Sequence, residues 1–166
     1  MNILLIVLVI ILVWRVAAGM KKGVVRETLG FINIIFAALV LGLVCVGINA
    51  YHEEGYRNYL TILVVIVIIA LLSIAYSIVK LVFFPAKVIT KLPIISSADK
   101  LFGLVIGVVE TLIVYWALCC VLMYVDFGVL NEQITGMIGE SSILTWLYQY
   151  NMLGVLMEAV KAKLTF

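Results

Sequence analysis

Charge is the scarcest commodity in this chain: only 12% of its 166 residues are Asp, Glu, Lys or Arg, where a soluble globular domain carries about 25%. Hydrophobic residues make up 66%, which excludes a water-soluble globule and implies an integral membrane protein. Histidine occurs once, as His52 beside Glu53 and Glu54. A metal centre built there would need further ligands, so none is expected. Cysteine occurs three times, and Cys45, Cys119 and Cys120 all fall inside apolar runs. Adjacent cysteines on a helix point about 100° apart, so the three offer neither zinc spacing nor a disulfide framework and read as small apolar packers. A nucleophile elbow, an HExxH pair and a phosphate-cradling glycine loop are all missing. Neither an enzyme nor a cofactor is expected. The net charge of +2 says nothing in favour of nucleic acid, and no nucleic-acid partner is expected.

What is present is apolar length. Four runs stand out: Ile3 to about Ala18, Val24 to about Tyr51, Tyr59 to Phe84, and Leu101 to Val125. A helix needs about 20 residues to cross the hydrocarbon core. The last three runs exceed that; the first is marginal and asks Arg15 to snorkel toward the headgroups. A cleavable signal is the competing reading of the first run, with Val16-Ala-Ala before Gly19, but a signal carries its basic residues ahead of the apolar stretch and here Arg15, Lys21 and Lys22 follow it. The expected fold is therefore all-α and polytopic. Residues 1–125 form a four-helix transmembrane domain and residues 126–166 an amphipathic extracytoplasmic tail.

Basic residues alternate by side. Arg15, Lys21, Lys22 and Arg26 flank the first turn, and Lys80, Lys87, Lys91 and Lys100 flank the third, which accounts for eight of the eleven Lys and Arg. The positive-inside bias then places both basic connections in the cytoplasm and both termini outside. Between runs three and four, Pro85 is expected to end the third helix or start a new segment, Ala86 to Leu92 to lie as a short basic segment at the inner headgroups, and Ser96-Ser-Ala-Asp99 to cap the fourth helix. In the tail, Ile134, Met137, Ile138, Leu144, Leu147, Leu153, Leu156, Met157 and Val160 recur at helix-like intervals. Ser141 or Ser142 suits one N-cap and Asn151 another, and Trp146, Tyr148 and Tyr150 suit a membrane boundary. Two or three short helices are expected, resting on the outer leaflet or docked on a partner.

Small residues mark two helix starts. Asp99, Gly103, Gly107 and Glu110 fall within an arc of about 80° on one helix face, and Gly103 with Gly107 forms a GxxxG pair that lets another backbone approach. Gly19, Gly23, Arg26 and Gly30 share a face if the second helix begins early. The two features suggest that the starts of helices two and four pack together, with Arg26 or Glu27 meeting Asp99 or Lys100. Glu110 lies about three turns inside its helix, where an isolated charge costs several kcal/mol. It reads as a protonated or paired carboxylate facing other helices, as a proton- or cation-handling group, or as an anchor for a basic partner. Asn33, Ser73 and Ser77 are expected to bridge helices rather than line a pore.

Two motifs, Lys22-Gly23-Val24-Val25-Arg26-Glu27 and Ala98-Asp99-Lys100-Leu101-Phe102-Gly103-Leu104-Val105-Ile106-Gly107, together with the length and four runs, resemble the colicin V production protein (CvpA) family. The resemblance implies a bacterial four-helix protein of the inner membrane, concerned with colicin V production or export and with envelope integrity. Some relatives join this unit to an outside serine protease, which this chain does not carry. It departs from the family pattern in two places. Residues 3–13 are entirely aliphatic, without the aspartate often found near the first helix start. Glu110-Thr111 stands where the family has an arginine followed by glycine. The expected function is a non-enzymatic scaffold or accessory factor for bacteriocin export and envelope homeostasis, acting with the bilayer and with a second copy or another envelope protein. The alternative is a small oligomeric channel or transporter that uses Glu110.

Overall fold

A computed structural model of the chain describes residues 2–22, 24–54, 59–89 and 97–164; side chains are described for all of these except 22, 24–27, 29, 50–54, 59–61, 82–89, 97–99 and 164. Among the described residues seven helices follow one another: α1 (Ile3–Lys22), α2 (Val24–Glu54), α3 (Tyr59–Ile89), α4 (Ser97–Tyr124), α5 (Val129–Gly139), α6 (Ser142–Gln149) and α7 (Met152–Leu164). The first four contain stretches long and apolar enough to cross a membrane, at 3–21, 30–49, 62–81 and 100–124. The protein is thus an all-α, multi-pass membrane protein.

Sequence and structure differ at helix ends. α1 does not stop near Ala18 but runs to Lys22, which gives the first span its full crossing length. The His52–Glu54 stretch is the last turn of α2 rather than a loop. α3 continues through Pro85 to Ile89, because a proline near the end of a long helix forfeits one backbone bond without stopping the turns that follow. The remainder of the expected headgroup segment, and Ser96, lie outside the described residues. Asn2 caps α1 by accepting a hydrogen bond from the Leu5 amide at 3.1 Å through its side-chain oxygen.

α4 is the centre of the molecule. α1 packs along it antiparallel, as the pairing of Gly19 with Gly103 and of Arg15 with Glu110 shows. α2 packs on another side of α4, and α3 leans mainly on α2. The α2–α3 contact is fixed by the Tyr76 hydroxyl, which donates to Asn33 Oδ1, and by stacking of Tyr76 on Phe36 at 4.5 Å between centroids. Ser73 and Ser77 do not bridge helices; each donates back to its own helix, at 2.8 and 2.9 Å, to the carbonyls of Ile69 and Ser73. Only 6% of the spanning stretch of α1 or α3 is buried, against 39% for α4. The apolar side chains they leave uncovered suit lipid, not water.

The tail helices fold back onto this bundle. Ala38, Leu43, Cys45, Val46, Cys120, Tyr124, Leu153 and Met157 form one core cluster between α2, α4 and α7. Tyr115, Cys119, Ile138, Leu144 and Leu147 form a second, joined by Leu4, Leu5 and Leu8 of α1. All three cysteines are buried and free. Ser141 and Asn151 cap α6 and α7, accepting from the amides of Leu144 and Gly154 at 3.4 and 2.9 Å.

Candidate functional site

Three helices meet at one charge pair. Arg15 of α1 reaches Glu110 of α4 through Nη1 to Oε2 at 3.2 Å, with the Glu110 side chain completely enclosed and that of Arg15 26% exposed. Gly30 of α2 closes the third side, since a Cβ placed there would stand 3.4 Å from Glu110 Oε1. The arginine also lies 5.6 Å from the centroid of the Trp14 ring, within reach of a cation–π attraction. Thr111 beside Glu110 is buried and satisfies its hydroxyl on the Gly107 carbonyl at 2.9 Å.

Backbone contact holds the pair closed. A Cβ added to Gly19 would fall on the Gly103 carbonyl, and one added to Gly103 would fall on the Gly19 carbonyl. One turn further, a Cβ on Gly107 would meet the Arg15 carbonyl oxygen at 2.8 Å and the Val16 Cα at 3.1 Å. The three glycines therefore let α1 and α4 touch backbone to backbone, as small residues do where lipid supplies no hydrophobic drive for association. That approach brings Arg15 within ion-pair distance of Glu110.

The structure assigns the Gly103–Gly107 face to α1, not to α2 as the shared position of the two motifs suggests. Gly19 belongs to that seam as part of α1, whereas Gly30 lies on α2 against Glu110. Gly23 lies outside the described residues, as do the side chains of Arg26, Glu27 and Asp99. The reading of Arg15 as a snorkelling residue missed its partner, because hydropathy weighs a charge against lipid alone. Its signal was the presence of a basic residue, Arg15, inside the first apolar run and of an acidic one, Glu110, inside the fourth. Asn2 was also missed, although an Asn directly before an apolar run is a capping signature. Among the described residues no group of three or more His, Cys, Asp and Glu is placed to hold a metal ion. In chemical terms the site is a charge pair where three helices meet, enclosed at its carboxylate and partly open at its arginine.

A family model described as colicin V production protein matches residues 5–152. No curated protein and no solved structure matches the chain.

Proposed function

Because the chain belongs to the colicin V production protein family, we propose that it is a scaffold or accessory factor of the bacterial cytoplasmic membrane, serving bacteriocin production or export and envelope homeostasis. The observation that carries this reading is the Arg15–Glu110 pair locked under the Gly19–Gly103 contact. A carboxylate committed to a fixed arginine between three helices organises a bundle, and no chemistry needs to pass through it. In this reading Gly19, Gly30, Gly103 and Gly107 serve packing, while Arg26, Glu27, Gly23 and Asp99 belong to the family motif at the basic face. The two basic connections face the cytoplasm and both termini lie outside. Catalysis has no part in it.

A scaffold works through contacts, so extraction in mild detergent should recover a second copy or a defined envelope partner. Recovery of a strictly solitary monomer, at every detergent concentration that keeps it folded, would overturn the reading.

The intramembrane carboxylate also favours a second reading, a small channel or transporter that uses Glu110. Proteoliposomes distinguish the two. Transport predicts a proton or cation flux that Glu110→Gln removes. The scaffold predicts background flux from both proteins.

A further inference from the structure

The tail sits deeper than a surface segment should, and three independent rulers say so. Along α4, the Tyr115 hydroxyl donates to the Leu144 carbonyl at 2.9 Å and Trp116 Nε1 to the Leu147 carbonyl at 3.0 Å. Tyr115 lies about nine residues, roughly 14 Å, inside the Tyr124 end of that helix. Along α2, the Met157 thioether fills the space above Gly42, where a Cβ would meet its sulfur at 2.7 Å. Gly42 lies about seven residues, roughly 10 Å, inside the Asn49 end of the span. The third ruler is α1. Its apolar stretch of 19 residues is about 28 Å long, barely the roughly 30 Å of hydrocarbon it must cross. Its uncharged part, residues 3–14, lies in the half of the bundle where the tail packs. Leu4, Leu5 and Leu8 of that helix pack in the same cluster as Leu144 and Leu147.

Sequence and hydrogen bonding agree with that depth. Between Glu140 and Glu158 there is no Asp, Glu, Lys or Arg, and this uncharged interval holds Leu144, Leu147 and Met157. The breaks between α5 and α6 and between α6 and α7 are closed by hydrogen bonds within the protein. The Ile138 carbonyl accepts from the Ser141 amide at 3.2 Å and from Thr145 Oγ1 at 2.8 Å. At the end of α6, the carbonyls of Trp146, Leu147 and Tyr148 accept from the Tyr150 amide, the Trp116 indole and the Asn151 amide. Asn151 Nδ2 in turn donates to the Trp116 carbonyl at 3.5 Å. Irregular backbone at membrane depth demands such internal satisfaction. Charge returns where the chain climbs back: Lys161 reaches Asn49 Oδ1 at 2.6 Å, at the end of the α2 span.

We propose that α6 and the first half of α7 form a re-entrant segment seated in the leaflet into which α1 and α4 emerge, with lipid acyl chains against its outward face. That face carries Ile143, Trp146, Tyr150, Met152, Val155 and Leu156, each between 46% and 72% exposed; Ser142, Tyr148 and Gln149 are exposed on the same segment. The start of α1, in the same half of the bundle, exposes Ile3, Ile6, Val7, Val9 and Ile10, so the hydrocarbon that covers those residues covers this face as well.

Nitroxide labels test this in proteoliposomes of the full chain. Val155→Cys and Ile143→Cys place single labels on exposed positions, while the native cysteines are buried. Val7→Cys on the uncovered side of α1 gives the lipid reference and Glu132→Cys on α5 the aqueous one. At both tail positions, collisions with oxygen should exceed those with a water-soluble nickel complex several-fold, as at Val7→Cys. An excess of nickel collisions, as at Glu132→Cys, overturns the proposal. So does an immobilised label shielded from both reagents, which would mean that protein, not lipid, covers the face.

Discussion

Gly103→Leu is expected to leave almost no folded protein in the membrane. Any Cβ at this position falls on the Gly19 carbonyl across the seam, and a backbone carbonyl cannot swing aside as a side-chain tip can. α1 must then move off α4, and the move also draws Arg15 away from Glu110. Overpacking alone costs about 1–3 kcal/mol; parting a buried ion pair adds about 3 kcal/mol or more. The sum is comparable to the whole stability of a domain of this size. Even Gly103→Ala should lower the amount of protein recovered after membrane solubilisation. Gly136→Ala is the matched control, since nothing lies within 4 Å of a Cβ there; within α5 it should be neutral or stabilising by up to about 1 kcal/mol. Equal yields of Gly103→Leu and Gly136→Ala protein would show that the backbone contact does not hold the bundle together.

The second large effect is an asymmetry between the two halves of the ion pair. Arg15→Ala leaves Glu110 fully enclosed and robbed of its arginine, at a cost of about 3–5 kcal/mol. Glu110→Ala should cost less, because Arg15 is partly exposed and long enough to carry its head toward the interface. Replacing both, as in Arg15→Met with Glu110→Met, should recover most of the loss, since apolar residues of similar volume serve such a position as well as a paired charge does. Thermal unfolding in detergent, followed by intrinsic fluorescence, orders the four proteins. The expectation fails if the double variant unfolds as early as Arg15→Ala.

Much of the architecture was legible because a membrane simplifies the problem: an uncharged apolar run of helical length has few other fates. The four spans, the packing role of small residues and the caps at Ser141 and Asn151 follow from local sequence. Partner choice does not. A GxxxG pair announces that a backbone will come close and is silent about which one, so Gly103 and Gly107 could not name α1. Arg15 and Glu110 were each visible as misfits in lipid, yet they are 95 residues apart, and no local pattern couples such positions. The acid at Glu110 is answered within the chain by a base on the first helix, Arg15. The packing of the tail was less legible. Its helix-like spacing and aromatic residues describe an amphipathic segment at any depth, and local sequence does not announce the contacts that Leu144 and Leu147 make with α4 or Met157 with α2.

The seam joins the first span to the last, and that has a consequence for biogenesis. At roughly 5–20 residues per second of synthesis, the ribosome needs about 5–20 s after delivering Arg15 to deliver Glu110. Throughout that interval the opening helix sits in the bilayer without its permanent neighbour, its guanidinium held at the headgroups. The translocon must therefore release, or shelter, an incomplete molecule whose closure waits on its final crossing, and any truncation before that point leaves an orphaned helix for the quality-control proteases.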